Sequence, residues 1–249
     1  MGVNQVNMNG EELINLTADT VSELNLLEGE TAHDARGEQI TGKVTVIGDN
    51  LLDNGDFFVN QRGLTEYVGA TTNNGYTVDR WRQYPSTCVV TPIEGGGVNI
   101  AYNGEAIPSG GFMRIIQLLS QSLTIGDVYT LQACIDGITY VWSVAVTDTY
   151  QNHNFGENNQ YTVYLSATSI ILQLNSGQSM TVLHCKLELG PVATPFIPPN
   201  RAVESVKCQR VLQFHTTGDI DPIDLRPTMR ITPTVTQQSD GRWMYNAEL

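Results

Sequence analysis

Between residues 98 and 189, apolar and polar residues alternate in run after run, and a glycine-containing turn closes most runs. Val98-Asn99-Ile100-Ala101-Tyr102 alternates strictly, and Met113 to Leu119 more loosely. Tyr129, Leu131, Ala133 and Ile135 share one face of their run, with Thr130, Gln132 and Cys134 on the other. Trp142, Val144 and Val146 repeat the device, as do Ile170, Leu172 and Leu174, and then Leu183 to Leu189. A period of two places successive side chains on opposite faces of a strand. Asn103-Gly104, Ser109-Gly110-Gly111, Gly126-Asp127, Asp136-Gly137 and Ser176-Gly177 supply the turns, and no amphipathic helix intervenes. The pattern predicts an all-β chain built as a jelly-roll β-sandwich.

The stretch Asn50–Arg82 opens this sandwich. A turn at Asn54-Gly55 delivers Phe57 and Phe58, and a later strand carries Trp81 between Arg80 and Arg82. A large aromatic in a strand pattern reads as a core anchor, and so does Trp142. The domain limits that follow are 1–48 for a small N-terminal module, 49–199 for the sandwich, and 200–249 for a C-terminal helix and β-hairpin.

In the N-terminal module, Asp19-Thr20-Val21-Ser22-Glu23 offers a helix start, with Leu24, Leu26 and Leu27 as a short apolar face and Gly29 as the stop. Asp34 to Gly37 reads as a four-residue turn leading into Ile40, Val44 and Val46. His33 and Asp34 then form a hydrogen-bonded hairpin corner. At the other end, Pro191, Pro195, Pro198 and Pro199 release the chain from the sheet, since proline cannot donate to a ladder. Residues 201–214 are the best helix candidate, capped by Asn200. Two β runs, Met229–Thr236 and Arg242–Tyr245, follow around a Ser239-Asp240-Gly241 turn.

The chain has 26 acidic and 13 basic residues, a formal charge of −13. Such a surface repels phosphate backbones, so nucleic acid is not an expected partner. No run of about 18 apolar residues occurs, so no membrane insertion is expected. Met1-Gly2-Val3-Asn4-Gln5 lacks a basic patch followed by an apolar core, so no signal peptide is expected. Val6 stands where a myristoylation signal needs Ser or Thr. Cys88, Cys134, Cys185 and Cys208 form no C-x-x-C pair, and the reading favours free buried thiols.

Chemical sites are sparse. Asp219, Asp221 and Asp224 fail the EF-hand test, because position six of such a loop would be Asp224 and position twelve Arg230. Asp53 and Asp56 are the candidates for a structural calcium; no other cofactor is expected. His33, His153, His184 and His215 stand in unrelated segments, and no nucleophile or phosphate-loop motif occurs. The chain is therefore not expected to be an enzyme. Sugars stack their C–H faces on aromatic rings and bond their hydroxyls to amides. Tyr150, Gln151, Asn152, His153, Asn154 and Tyr161, in a polar 150–161 loop, are the leading glycan-binding candidates, with Tyr84 and Tyr102 beside them.

Several motifs resemble bacteriophage virion proteins. Leu16-Thr17-Ala18-Asp19-Thr20-Val21, Leu26-Leu27-Glu28-Gly29 and the run Thr31–Gly42 match a segment recurring near the attachment end of such proteins. Asn50–Arg82 resembles the opening of the carbohydrate-binding-like domains of tail fibres, and Lys186–Phe196 resembles their closing strand. Arg201–Arg210, with Cys208-Gln209-Arg210, resembles the helix that follows them. Met229-Arg230-Ile231-Thr232-Pro233-Thr234-Val235 and Asn246-Ala247-Glu248-Leu249 resemble the terminus.

The resemblance implies a virion structural protein of tail-fibre or head-fibre type, assembled in a bacterial cytoplasm and located in the virion. Residues 1–48 would be a virion-attachment module, with Leu24, Leu26, Leu27 and Ile40 in contact with other virion proteins of tail or capsid. The implied oligomer is a homotrimer, and the implied partner of the sandwich is a host surface glycan. The alternatives are a capsid head-fibre or decoration protein that stabilises the head, and the carbohydrate-binding module of a secreted bacterial enzyme.

Overall fold

The computed structural model describes residues 2–23, 26, 29–43, 48–69, 75–85, 87–104, 106–215 and 229–248. The chain divides into two units, Met1–Gly48 and Asp49–Leu249. No helix among the described residues is long and apolar enough to cross a membrane.

The first unit holds two antiparallel hairpins. Strands β1 (Gln5–Met8) and β2 (Glu11–Asn15) turn at Asn9-Gly10, both with positive φ (55° and 87°), as a type I′ hairpin requires. Strands β3 (Thr31–His33) and β4 (Gln39–Thr41) turn at Asp34–Gly37. There the Asp34 carboxylate accepts from the Arg36 and Glu38 amides at 2.9 and 3.0 Å, and Gly37 takes φ 71°. Those donors hold the Asp34 carboxyl below the usual carboxylate range, the Glu38 amide foremost. His33 and Asp34 thus belong to a hairpin corner. The expected helix over 19–27 is absent among the described residues, apart from one i→i+4 bond from Leu26 N to Ser22 O at 3.2 Å. Leu26 and Ile40 are partly buried, while Leu24 and Leu27 lie outside the described residues.

The second unit is a two-sheet sandwich. Its strands are β5 (Tyr67–Val68), β6 (Trp81–Tyr84), β7 (Cys88–Pro92), β8 (Val98–Tyr102), β9 (Met113–Leu118), β10 (Val128–Ile135) and β11 (Ile138–Ala145). They continue with β12 (Gln151–Phe155), β13 (Tyr161–Leu165), β14 (Ser169–Leu174) and β15 (Ser179–Leu189). One sheet has the order β11-β10-β15-β8-β7-β5, the other β12-β13-β14-β9-β6, and every pairing is antiparallel. The expected all-β class is what the chain adopts. Asp136-Gly137, with φ 50° and 80°, closes β10 on β11 as the sequence predicts.

Inward residues of both sheets merge in one core, including Val90, Ile100, Leu131 and Leu187 from the first and Trp81, Ile115, Val163 and Leu172 from the second. In β9 the alternation of the sequence becomes strict alternation of burial. All four cysteines are free and buried, and burial pushes the Cys88 thiol up to about 12.

The Asn50–Arg82 stretch is held by buried polar contacts. Asn50 donates to Cys185 O at 2.9 Å and accepts from Leu187 N at 3.0 Å, fastening the opening of the sandwich to its last strand. The Asn54 side chain is fully used: Nδ2 donates to Val59 O and Asp79 O at 2.9 Å each, and Oδ1 accepts from Val59 N at 2.8 Å. The Trp81 indole donates to Asn54 O at 3.0 Å, and its ring lies 4.7 Å from that of Phe57. Arg80, at φ 72°, donates to Asp53 at 3.1 Å and to Leu118 O at 2.7 Å.

Residues 200–248 belong to the same unit. Helix α1 (Arg201–Gln209) is capped by Asn200, whose Oδ1 accepts from Ala202 N and Val203 N at 3.0 and 3.3 Å. Its buried positions are Glu204 and Cys208, and Glu204 accepts from the Asn54 amide. The helix is shorter than the predicted 201–214, because Leu212–His215 pairs as strand β16. With β17 (Thr234–Gln237) and β18 (Trp243–Asn246) it makes a sheet of order β16-β18-β17, one strand more than the predicted hairpin. Arg62 pairs with buried Glu248, so this segment is anchored in the Asn50–Arg82 stretch at both ends.

Residues 190–196 fold back as a strap over the outer face of the six-stranded sheet. Lys186 donates to Thr194 O and Pro195 O at 3.3 and 3.2 Å, and Glu188 accepts from Thr194 N at 2.8 Å. Lys186 and Glu188 form a buried ion pair at 3.2 Å beneath it. Thr130 and Ser143 donate to Gly190 O and Pro191 O at 2.6 and 3.0 Å. Phe196 stacks on His184 at 4.0 Å.

Two outcomes follow. Trp81→Ala should lower unfolding free energy by about 3–5 kcal/mol, measured by urea titration, because it empties a fully buried site and removes the indole donor to Asn54 O. Burial holds the His184 imidazole below its ordinary value of 6.5, so its stabilising contribution is present above that value and lost as pH falls through it. The drop in urea midpoint between about pH 7.5 and about pH 5.5 should therefore be smaller in His184→Phe than in wild type.

Candidate functional site

The strap leaves the two outer faces of the sandwich unequal. On the six-stranded sheet, Thr130, Gln132, Lys186 and Glu188 are buried, although they point away from the core. The outer face of the five-stranded sheet carries no cover from residues 190–196, although Thr162, Ser169, Ile171 and Gln173 at its middle are also buried. It is built from alternate positions of five strands, whose register sets two parallel rows. One row reads Tyr84, Arg114, Gln173, Thr162, Asn154, and the next reads Arg82, Ile116, Ile171, Tyr164, Asn152.

Polar side chains of the first row form a relay across the sheet. Arg114 Nε donates to Gln173 Oε1 at 2.5 Å, and Gln173 donates to Asn175. Asn175 donates to Thr162 Oγ1 at 2.7 Å and to Asn159 O at 2.8 Å, and Thr162 donates to Asn154 Oδ1 at 2.8 Å. A relay of this kind fixes the orientation of each amide before any ligand arrives.

Aromatic rings stand at its Arg114 end. Tyr84 stacks on Phe112 at 6.1 Å, and the Arg114 guanidinium lies 4.1 Å from the Phe112 centroid and 5.4 Å from that of Tyr164. Tyr84 is 53% exposed, and Asn152 and Asn154 are exposed at the opposite edge. Rings for C–H faces, fixed amides for hydroxyls and one guanidinium are the groups a saccharide requires.

The predicted site residues are distributed as follows. Tyr84, Asn152 and Asn154 lie on this face. The 150–161 segment is no loop: Gln151–Phe155 is edge strand β12, and a short turn through Glu157–Asn159 leads to β13. Tyr150 is 54% exposed and shares a 2.7 Å hydrogen bond with Ser169. Gln151 accepts from Thr147 N at 3.2 Å. His153 points to the edge between the two sheets, stacked on partly buried Trp142 at 5.7 Å. Tyr161 is 4% exposed with its hydroxyl donated to Asp136, and burial pushes its phenol above the ordinary range; it belongs to the core. Tyr102 packs against the same core from β8.

Asp53 and Asp56, the calcium candidates, are each engaged by other side chains. Asp53 accepts from Arg80 and Ser120, and Asp56 is paired with Arg201. Among the described residues no group of three or more His, Cys, Asp or Glu is placed to hold a metal.

Arg114, Gln173, Phe112 and Tyr164 are the residues that the sequence reading misses. They come from three strands and a preceding loop residue, and only strand register brings them together. Searches against protein-family models and against curated proteins find no match, so the reading of this face rests on its geometry.

Proposed function

We propose that this chain is a bacteriophage virion structural protein of fibre or appendage type, whose sandwich adheres to host surface glycans. The observation that carries the adhesion is the outer face of the five-stranded sheet, where Tyr84, Phe112, Arg114 and Tyr164 border an ordered relay whose middle is buried and whose far end, Asn154, is exposed. The virion setting rests on the sequence resemblance in the two units. In this reading residues 1–48 attach to other virion proteins, the jelly-roll-type sandwich is displayed, and the assembly is a homotrimer.

A glycan array with capsular and lipopolysaccharide fragments of candidate hosts tests the adhesion. Wild type should bind at least one acidic or neutral polysaccharide. Tyr84→Ala/Asn154→Ala should weaken that binding by about tenfold or more while moving stability by no more than about 1 kcal/mol. Absence of binding by wild type to every host polysaccharide would overturn adhesion and turn the reading toward capsid decoration.

A further inference from the structure

A cavity of about 510 Å³ lies between the segment linking β9 to β10, the last turn of α1 and the chain at Arg230. Its wall carries the hydroxyl residues Ser120, Ser122 and Thr124, the cations Lys207, Arg210 and Arg230, and one carboxylate, Asp53. In a chain of net charge −13, that concentration of positive charge needs an explanation.

Part of it is structural. Lys207 and Arg210 stand at the C-terminal end of α1, where the helix dipole favours cations, and Lys207 also pairs with Glu204 at 3.3 Å. Arg80, just behind the wall, is neutralised by Asp53, which accepts from it at 3.1 Å. Asp53 also attracts Arg230, but the ion pair of Asp53 is with Arg80. Arg230 Nη1 is buried without a hydrogen-bond partner, and the Arg230 backbone amide is fixed by donation to Arg210 O at 2.9 Å. Among the described residues neither Arg210 nor Arg230 has a carboxylate partner. Burial foremost, then repulsion from Arg80 and Arg210, lowers the Arg230 pKa. Two guanidiniums in a cavity wall that also carries hydroxyls supply the donors an oxyanion needs.

We propose that this cavity binds the oxyanion group of an acidic, sugar-sized molecule, clamped between Arg210 and Arg230 with the serine and threonine residues facing its neutral part. The volume suits such a ligand, since small-molecule sites span about 300–1,000 Å³. The site is separate from the open sheet face and stands or falls without it.

Calorimetric titration of the full chain with glucuronate, inorganic sulfate, inorganic phosphate and glucose tests the assignment. Glucuronate or one of the inorganic anions should bind saturably and glucose should not. The stronger of the two kinds assigns a carboxylate or an ester-type oxyanion. Arg210→Gln and Arg230→Gln should each weaken binding by about tenfold, while Arg36→Gln in the first unit should not. Arg210 is exposed, so its variant keeps the test valid if Arg230→Gln fails to fold. Equal binding of glucose, or unchanged affinity in both arginine variants, would overturn the proposal. So would binding by an Asp219→Asn/Asp221→Asn/Asp224→Asn variant but not by wild type, since the chain would then supply the anion itself.

Discussion

The hydrogen bond from the Trp81 indole to Asn54 O joins the two kinds of order in the second unit. The ring lies in the core beside Phe57, while the acceptor belongs to a turn whose side chain is wholly consumed by Val59 and Asp79. Asn54 and Arg80 both adopt left-handed backbone, at φ 51° and 72°. Such conformations persist only where surrounding contacts over-determine them. Here those contacts reach far along the chain. Asn54 N donates to Glu204 in the helix, and Arg80 donates to Leu118 O at the end of β9. Arg62 pairs with Glu248 near the terminus. A single buried polar knot therefore ties the opening loop, both sheets and the C-terminal segment together.

That knot also determines which surface remains open. Asn50 fixes the first residues of the unit to β15, and β15 then leads into the 190–196 strap over the outer face of its own sheet. The strap satisfies Lys186 and Glu188, two charges that would otherwise be buried without enough partners. The outer face of the five-stranded sheet lacks that strap; the middle of its relay, at Gln173 and Thr162, is buried, and Tyr84 and Asn154 are exposed at its two ends. The asymmetry of function proposed for the two faces follows from this asymmetry of cover.

Much of the fold is legible in the residues. Alternation and the turns at Asp136-Gly137 and Asp34–Gly37 set strand positions, Trp81 reads as core, and Asn200 reads as a cap. What escapes is non-local. The helical spacing of Val211 and Phe214 extends the predicted helix too far, because pairing of β16 with β18 decides its end. Strand β12 is an edge strand with Asn152, His153 and Asn154 exposed, so it reads as a loop. Asn9-Gly10 carries a hairpin signal, but its flanking strands are nearly all exposed and Glu11–Asn15 lacks an apolar alternation. Asp53 and Asp56 resemble metal ligands until Arg80 and Arg201 arrive from elsewhere in the chain. The candidate face escapes for the same reason: Arg114 and Gln173 are 59 residues apart and meet only in register.

The central claim is that the outer face of the five-stranded sheet, which the 190–196 strap does not cover, is the one that meets a saccharide. Backbone chemical-shift mapping with a soluble fragment of a bound host polysaccharide addresses it directly. The account predicts that perturbed amides cluster on β6, β9, β13 and β14 around Tyr84, Arg114, Tyr164 and Gln173. Perturbations confined to β10, β15 and the 190–196 strap would contradict it.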